Sequence, residues 1–248
     1  MKVLAAGSLI QAMALIKEAY PGPFEAEYGP AGFLRERIEQ GERADLFLSA
    51  NTAHPEKLLK AGLVKKAIPF AANTLCLIVR EGLEGRDWFE LISDPRLKVG
   101  ITVPGKDPSG DYAFEFFDRI EKDHPPVGAR LKERSRQLFG GGPGAGLPIP
   151  PGENPVSFFI GAGEADLFVA YKSIALSGAV SPLSYVDIPP AYNIRALYAM
   201  GIITGAGEAL GEFLCSSEGQ DCLIRAGFTG ISNSTPPGVS APPDSTAF

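Results

Sequence analysis

Cysteine, histidine, tryptophan and positive charge are all scarce in this chain: 248 residues hold three Cys, two His and one Trp, and 23 Lys and Arg stand against 29 Asp and Glu. Each shortage closes off a class of function. Cys76, Cys215 and Cys222 are too few for a disulfide scaffold and have no metal-ligand spacing. Cys76 sits in the apolar run Leu75–Val79 and reads as a buried small hydrophobe. Cys215 and Cys222 flank a break between two helices, so a short-loop disulfide stays open if the compartment oxidises. His54 and His124, each beside a proline, read as exposed surface residues and not as a catalytic pair or metal site. A net charge of −6 argues against nucleic acid or an anionic membrane as partner, since both demand basic surface. No apolar run approaches the ~20 residues of a membrane-spanning helix. The chain opens on Met1-Lys2 and a strand-like run, so either the protein stays in the cytosol or a signal peptide has been removed. Catalytic motifs are missing too: there is no Gly-x-Ser-x-Gly elbow and no Walker loop.

What is present is a set of small-residue turns, each where a strand gives way to a helix. They are Gly7-Ser8 after Lys2–Ala6, Pro30-Ala31-Gly32 before Phe33–Ile38, and Pro108-Ser109-Gly110 before Tyr112–Phe117. Such turns aim uncommitted backbone N–H groups and the positive end of a helix dipole at one spot. Three of them suggest a cage for an oxyanion. Because the whole chain is acidic, local N–H groups must capture the anion against the net field.

The rest of the pattern is alternating. Strand-like runs cover Lys2–Ala6, Ala44–Ala50, Thr74–Arg80, Leu97–Val103, Asp166–Ala170, Leu183–Ile188 and Arg195–Ile203. Between them apolar residues recur at helical spacing, as at Ile10, Met13 and Ile16 or Phe114, Phe117 and Ile120, with Gly41 and Gly62 placed to stop helices. Strands alternating with helices predict α/β architecture with mainly parallel sheets. With 45% hydrophobic residues the chain can bury one large or two modest cores, so two lobes are expected. Gly140–Gly152, dense in glycine and proline, reads as a loop, and the proline-rich tail after Ser232 as extended.

Several phrases then fall in a telling order: Ala5-Ala-Gly-Ser-Leu9, Gly29-Pro-Ala-Gly-Phe-Leu34, Ile38-Glu-Gln-Gly41 leading to Ala44–Ala50, Asp107-Pro-Ser-Gly110, Gly163–Ser173 and Cys222–Phe228. From Val3 to about Phe228 they resemble the substrate-binding proteins of ABC importers, in particular the archaeal-type molybdate/tungstate branch. The resemblance implies an α/β, bilobed periplasmic-binding-protein type II fold, with lobe one from residues 1–73 plus 202–248 and lobe two from 74–201. The chain would cross between lobes near Asn73-Thr74 and again near Asn193–Tyr198, and ligand would bind in the cleft. It also implies a periplasmic or extracytoplasmic monomer that hands a small oxyanion to a membrane permease, without cofactor and without catalysis.

Carried over residue by residue, Ser8 would supply a hydroxyl and an N–H, while Ala31 falls where relatives often place a second serine and can offer only its N–H. Ser109 and Gly110 would contribute N–H groups from the opposite lobe, and Tyr171 its phenol. Asp107 and Glu153 match an Asp and a Glu that approach the metal itself in that branch. A carboxylate beside a dianion is repulsive unless protonated or bound to the central cation, and molybdenum(VI) or tungsten(VI) can exceed four oxygens where sulfur and phosphorus cannot. Read without the resemblance, Ser8, Asp107 and Ser109 are equally ordinary helix caps, Glu153 a solvated carboxylate at a helix start, and Tyr171 a packing residue. Asp45 and Asp166 read as fold residues, and Lys172 either neutralises the site or faces solvent. The alternative ligand is another oxyanion, sulfate or phosphate, or a chelated metal.

Overall fold

The computed structural model describes residues 1–141 and 148–231, and two five-stranded sheets organise them. The first holds β1 (Lys2–Ala6), β2 (Glu25–Gly29), β3 (Leu46–Ser49), β4 (Lys66–Asn73) and β10 (Ala196–Ile202) in the order β2-β1-β3-β10-β4. The second holds β5 (Leu75–Val79), β6 (Val99–Thr102), β7 (Arg136–Phe139), β8 (Leu167–Tyr171) and β9 (Ser184–Asp187) in the order β7-β6-β8-β5-β9. The helices that matter for the site are α1 (Ile10–Ala19), α2 (Ala31–Glu39), α5 (Pro108–Asp123) and α7 (Pro155–Gly161), and α3 (Ala53–Lys60), α4 (Trp88–Ser93), α6 (Val127–Arg134), α8 (Lys172–Leu176), α9 (Ala206–Cys215) and α10 (Ser217–Arg225) complete the layers. No described helix is long and apolar enough to cross a membrane.

The α/β class and the two lobes follow the expected pattern, but the sheets are mixed. β1 runs parallel to β2 and β3, and β6 parallel to β7 and β8. β10 is antiparallel to β3 and β4, and β5 antiparallel to β8 and β9. β5 and β10 are the strands by which the chain arrives from the other sheet, so no crossover helix forces them parallel. β10 also corrects the expected division, which left residues up to 201 in lobe two: it is bonded on both sides within the first sheet.

β5 and β8 are buried at all five positions, as central strands packed on both faces must be. Both crossings are tied by asparagines. Asn73 accepts from the N–H groups of Thr74 and Ser173 and donates to Ser173 Oγ at 2.8 Å. Asn193 receives the Leu75 N–H and donates to the Leu75 carbonyl, both at 2.9 Å, so its amide extends the ladder where the second crossing meets the first.

Gly41 and Gly62 follow α2 and α3 at positive φ, as expected of helix stops. The three cysteines are free, and Cys76 is fully buried. The histidines are not surface residues. His54 is buried beneath the start of α3 with its imidazole pushed down to about 4 by burial, and half-buried His124 lies 3.1 Å from the Tyr192 hydroxyl. Of the expected Gly140–Gly152 loop, the described residues carry no helix or strand; 142–147, like the tail from 232, lie outside the described residues.

Candidate functional site

A cavity of about 960 Å³ opens between the two sheets, at the ends of β1, β6 and β8 where helices begin. Open α/β sheets bind ligands at this end of their strands. Six of the seven expected residues line it: Ser8 and Ala31 from the first lobe, Asp107, Ser109, Glu153 and Tyr171 from the second. Gly110 does not. Its N–H is given to the Asp107 carbonyl at 2.9 Å, and its Cα packs on the backbone of residues 102–104.

Ser8 sits in a single 3-10 turn, Gly7–Leu9, that leads into α1, and its side chain caps neither helix. Its Oγ lies 2.9 Å from the Tyr198 hydroxyl instead. Ala31 is the first residue of α2, and Pro30 before it provides no side-chain cap, so the Ala31 N–H stays available as helix geometry requires. The next N–H along, that of Gly32, is bonded to the Lys106 carbonyl of the opposite lobe at 3.1 Å. Only glycine fits there, because a Cβ would stand 2.5 Å from that oxygen. Lys106 Nζ reaches Glu36 at 2.8 Å, a second contact between the lobes.

Asp107 is the N-cap of α5, with Pro108 at the first helical position and Oδ1 accepting the Ser109 N–H at 2.9 Å. Ser109 therefore keeps its hydroxyl, not its N–H, to offer a ligand. The carboxyl of Asp107 is covered by Gly140, whose φ of +93° and missing side chain let the backbone close over it. Burial pushes this carboxyl up to about 6. Glu153 is exposed on the cavity wall, one residue before Asn154, which caps α7 by accepting from Val156 and Ser157.

Tyr171 ends β8 and is 3% exposed, yet its hydroxyl has no hydrogen-bond partner among the described residues. Thr102 Oγ1, at the end of β6 and also on the wall, is buried beside the Asp107 carboxyl, whose ionised form its hydroxyl favours. Buried polar groups are nearly always satisfied by protein, water or ligand, so the Tyr171 hydroxyl is a donor the cavity can offer to a polar group. Burial holds the Tyr171 phenol well above its usual range, which keeps it a donor. The wall carries one cationic side chain among the described residues, Arg37, and it is engaged by Glu27 and Glu42. Lys172 is turned to Asp187 at 2.6 Å, and Asp45 and Asp166 hold backbone N–H groups at strand starts, as fold residues do.

Thr102 and Tyr198 carry no sequence signal, since each lies inside an apolar strand. Residues 1–229 match the family described as bacterial extracellular solute-binding proteins. The chain belongs to this family. An uncharacterized protein of Pasteurella multocida is 39% identical over 237 residues, 92% of this chain and 98% of that protein. The molybdate-binding protein ModA of Mycobacterium tuberculosis is 27% identical over 239 residues, 91% of this chain and 83% of its own length. Among solved structures, the periplasmic molybdate-binding protein of Azotobacter vinelandii superposes with a TM-score of 0.75 at 16% identity, covering 94% of this chain and all of that one. The sulfate-binding protein SubI of M. tuberculosis gives the same TM-score at 18% identity, over 94% of this chain and 88% of its own. These structural likenesses establish the bilobed fold of this solute-binding protein and nothing finer.

Proposed function

We propose that this solute-binding protein captures molybdate or tungstate in the interlobe cavity, outside the cytoplasm, and delivers it without chemical change to the permease of an ABC importer. The observation that carries the reading is the unpartnered Tyr171 hydroxyl, buried at the cavity beside the free N-terminus of α2 and the hydroxyl-bearing turns of Ser8 and Ser109. These groups are donors of the kind an oxyanion needs. The relatedness to ModA supports the choice of oxyanion.

Charge supports it further. The wall holds Asp107 and Glu153 and no uncommitted cation among the described residues, an unfavourable setting for sulfate or phosphate. Asp107, through the oxygen that does not cap α5, and Glu153 would bond to the molybdenum or tungsten atom and turn repulsion into attraction. The size of the cavity favours a second reading. About 960 Å³ far exceeds a tetrahedral oxyanion, which occupies roughly 100 Å³, some three water volumes. A larger anion such as a chelated metal would fill more of it.

Thermal melting with molybdate, tungstate, sulfate, phosphate and a ferric chelate separates the readings, because a ligand of the native state raises apparent stability with its concentration. Molybdate and tungstate are expected to shift the midpoint at micromolar concentration and sulfate not to. A shift by the chelate alone would select the second reading.

A further inference from the structure

Tyr198 lies on β10, fully buried, with Oη 2.9 Å from Ser8 Oγ. By distance either oxygen could be the donor. The surroundings decide between them. The phenol is enclosed by the rings of Phe70, Phe228 and Tyr171, with centroids 6.4, 5.2 and 5.5 Å away. Tyr171 Oη lies beside the Tyr198 phenol but meets hydrogen-bond distance and angle with no described residue, whereas Ser8 Oγ meets both. Asn73, on the neighbouring strand β4, has its carbonyl oxygen filled by two N–H groups and one amide hydrogen turned to Ser173, so what it can offer the phenol is its other N–H, a donor and not an acceptor. If Ser8 donated, the Tyr198 hydrogen would be buried with no other acceptor in hydrogen-bond geometry among the described residues, and an unmade hydrogen bond in such a place costs the full desolvation of the group.

We infer that Tyr198 is a positioning residue: it donates its hydrogen to Ser8 Oγ and thereby leaves the Ser8 hydroxyl as a donor aimed at the ligand. Ser8 lies on the cavity wall and is partly exposed, so its own hydrogen has only the cavity side to occupy. With a lone pair already engaged from behind, Ser8 favours an oxyanion that presents bare oxygens over one that carries a proton at that position. The inference rests on the anion-binding reading for its consequence, though not for the direction of the hydrogen.

Calorimetric titration of molybdate into the intact protein, Tyr198→Phe, Ser8→Ala and the double variant tests the consequence. Phenylalanine keeps the ring, and loss of the hydroxyl is expected to weaken binding roughly fivefold to tenfold. In the Ser8→Ala background the same change is expected to do nothing further, because its effect runs through Ser8. Equal weakening in both backgrounds, or none in either, overturns the positioning role. Neutron diffraction from ligand-free crystals exchanged into D2O tests the direction by itself: deuterium on Tyr198 Oη pointing to Ser8 Oγ is expected, and deuterium on Ser8 pointing back overturns it. If the unaltered protein fails to bind molybdate, the functional reading falls while the neutron map still decides the hydrogen bond.

Discussion

Asp107 answers two opposed demands. As the cap of α5 it must accept the Ser109 N–H, and as a carboxyl enclosed beneath Gly140 it resists ionisation, which is why burial carries it from 3.8 to about 6. Between those values the native protein holds a proton that the unfolded chain has released, so stability falls as pH rises from about 4 to about 6. Above that window the cost of the buried charge is complete. Asparagine can cap equally well through its own oxygen and carries no charge. Asp107→Asn is therefore expected to stabilise the ligand-free protein at pH 7 by about 1–3 kcal/mol and to give no gain near pH 4, read by denaturant unfolding at the two pH values. Loss of stability at pH 7 would mean that the ionised carboxylate is favoured in its site. Molybdate affinity should collapse in the same variant if the carboxylate bonds to the metal. At this scale the sequence placed Ser8, Ala31, Asp107 and Ser109 at strand-to-helix turns, and in the fold those turns meet at one cavity. It misled at Gly110, because a helix start consumes some of the N–H groups that the turn seems to promise on paper, and it was silent at Tyr198, whose meaning depends on a contact 190 positions away.

Elements tell a similar story about edges. The strands absent from the sequence pattern, β2, β4 and β7, all lie at the margins of their sheets, where one side faces solvent and the residues need not be apolar. β2 reads Glu-Ala-Glu-Tyr-Gly and is buried nowhere, and β4 contains Pro69, which an edge strand tolerates. The central strands β5 and β8 stood out for the opposite reason. Between elements, the start of α2 meets the turn before α5 through the Gly32 N–H and the Lys106 carbonyl, with Ala31 and Asp107 adjacent on either side. The accompanying Lys106–Glu36 pair is half exposed, so it contributes at most about 1 kcal/mol. Backbone contact dominates. Gly32→Ala would push a methyl group against a carbonyl that only reopening of the cleft can move away. Its radius of gyration by small-angle scattering is expected to stay at the open value on adding saturating oxyanion, while the unaltered protein contracts and Lys106→Met contracts almost normally. Contraction of Gly32→Ala to the same value would show that the lobes close without this contact.

Taken as a whole the molecule carries a net charge of −6 and the ligand proposed for it is a dianion, so its long-range field opposes that ligand. Proteins that collect anions with lysine or arginine lose affinity in salt, because the attraction is screened. Here the one cationic side chain described on the cavity wall is held by two carboxylates, and the candidate donors are an N–H at the start of α2 and hydroxyls at the ends of β1, β6 and β8. Short-range donors in a closed cleft are screened little, whereas repulsion between a distant dianion and the acidic surface is screened strongly once the Debye length falls below about 10 Å. The two effects push in one direction. Raising sodium chloride from about 20 to 200 mM is therefore expected to speed molybdate association severalfold and to leave its affinity unchanged or improved, measured by stopped-flow and calorimetry at constant pH. A fall in affinity of tenfold or more over that range would place an uncommitted cation at the anion, and capture by neutral donors and metal-directed carboxylates would have to be given up.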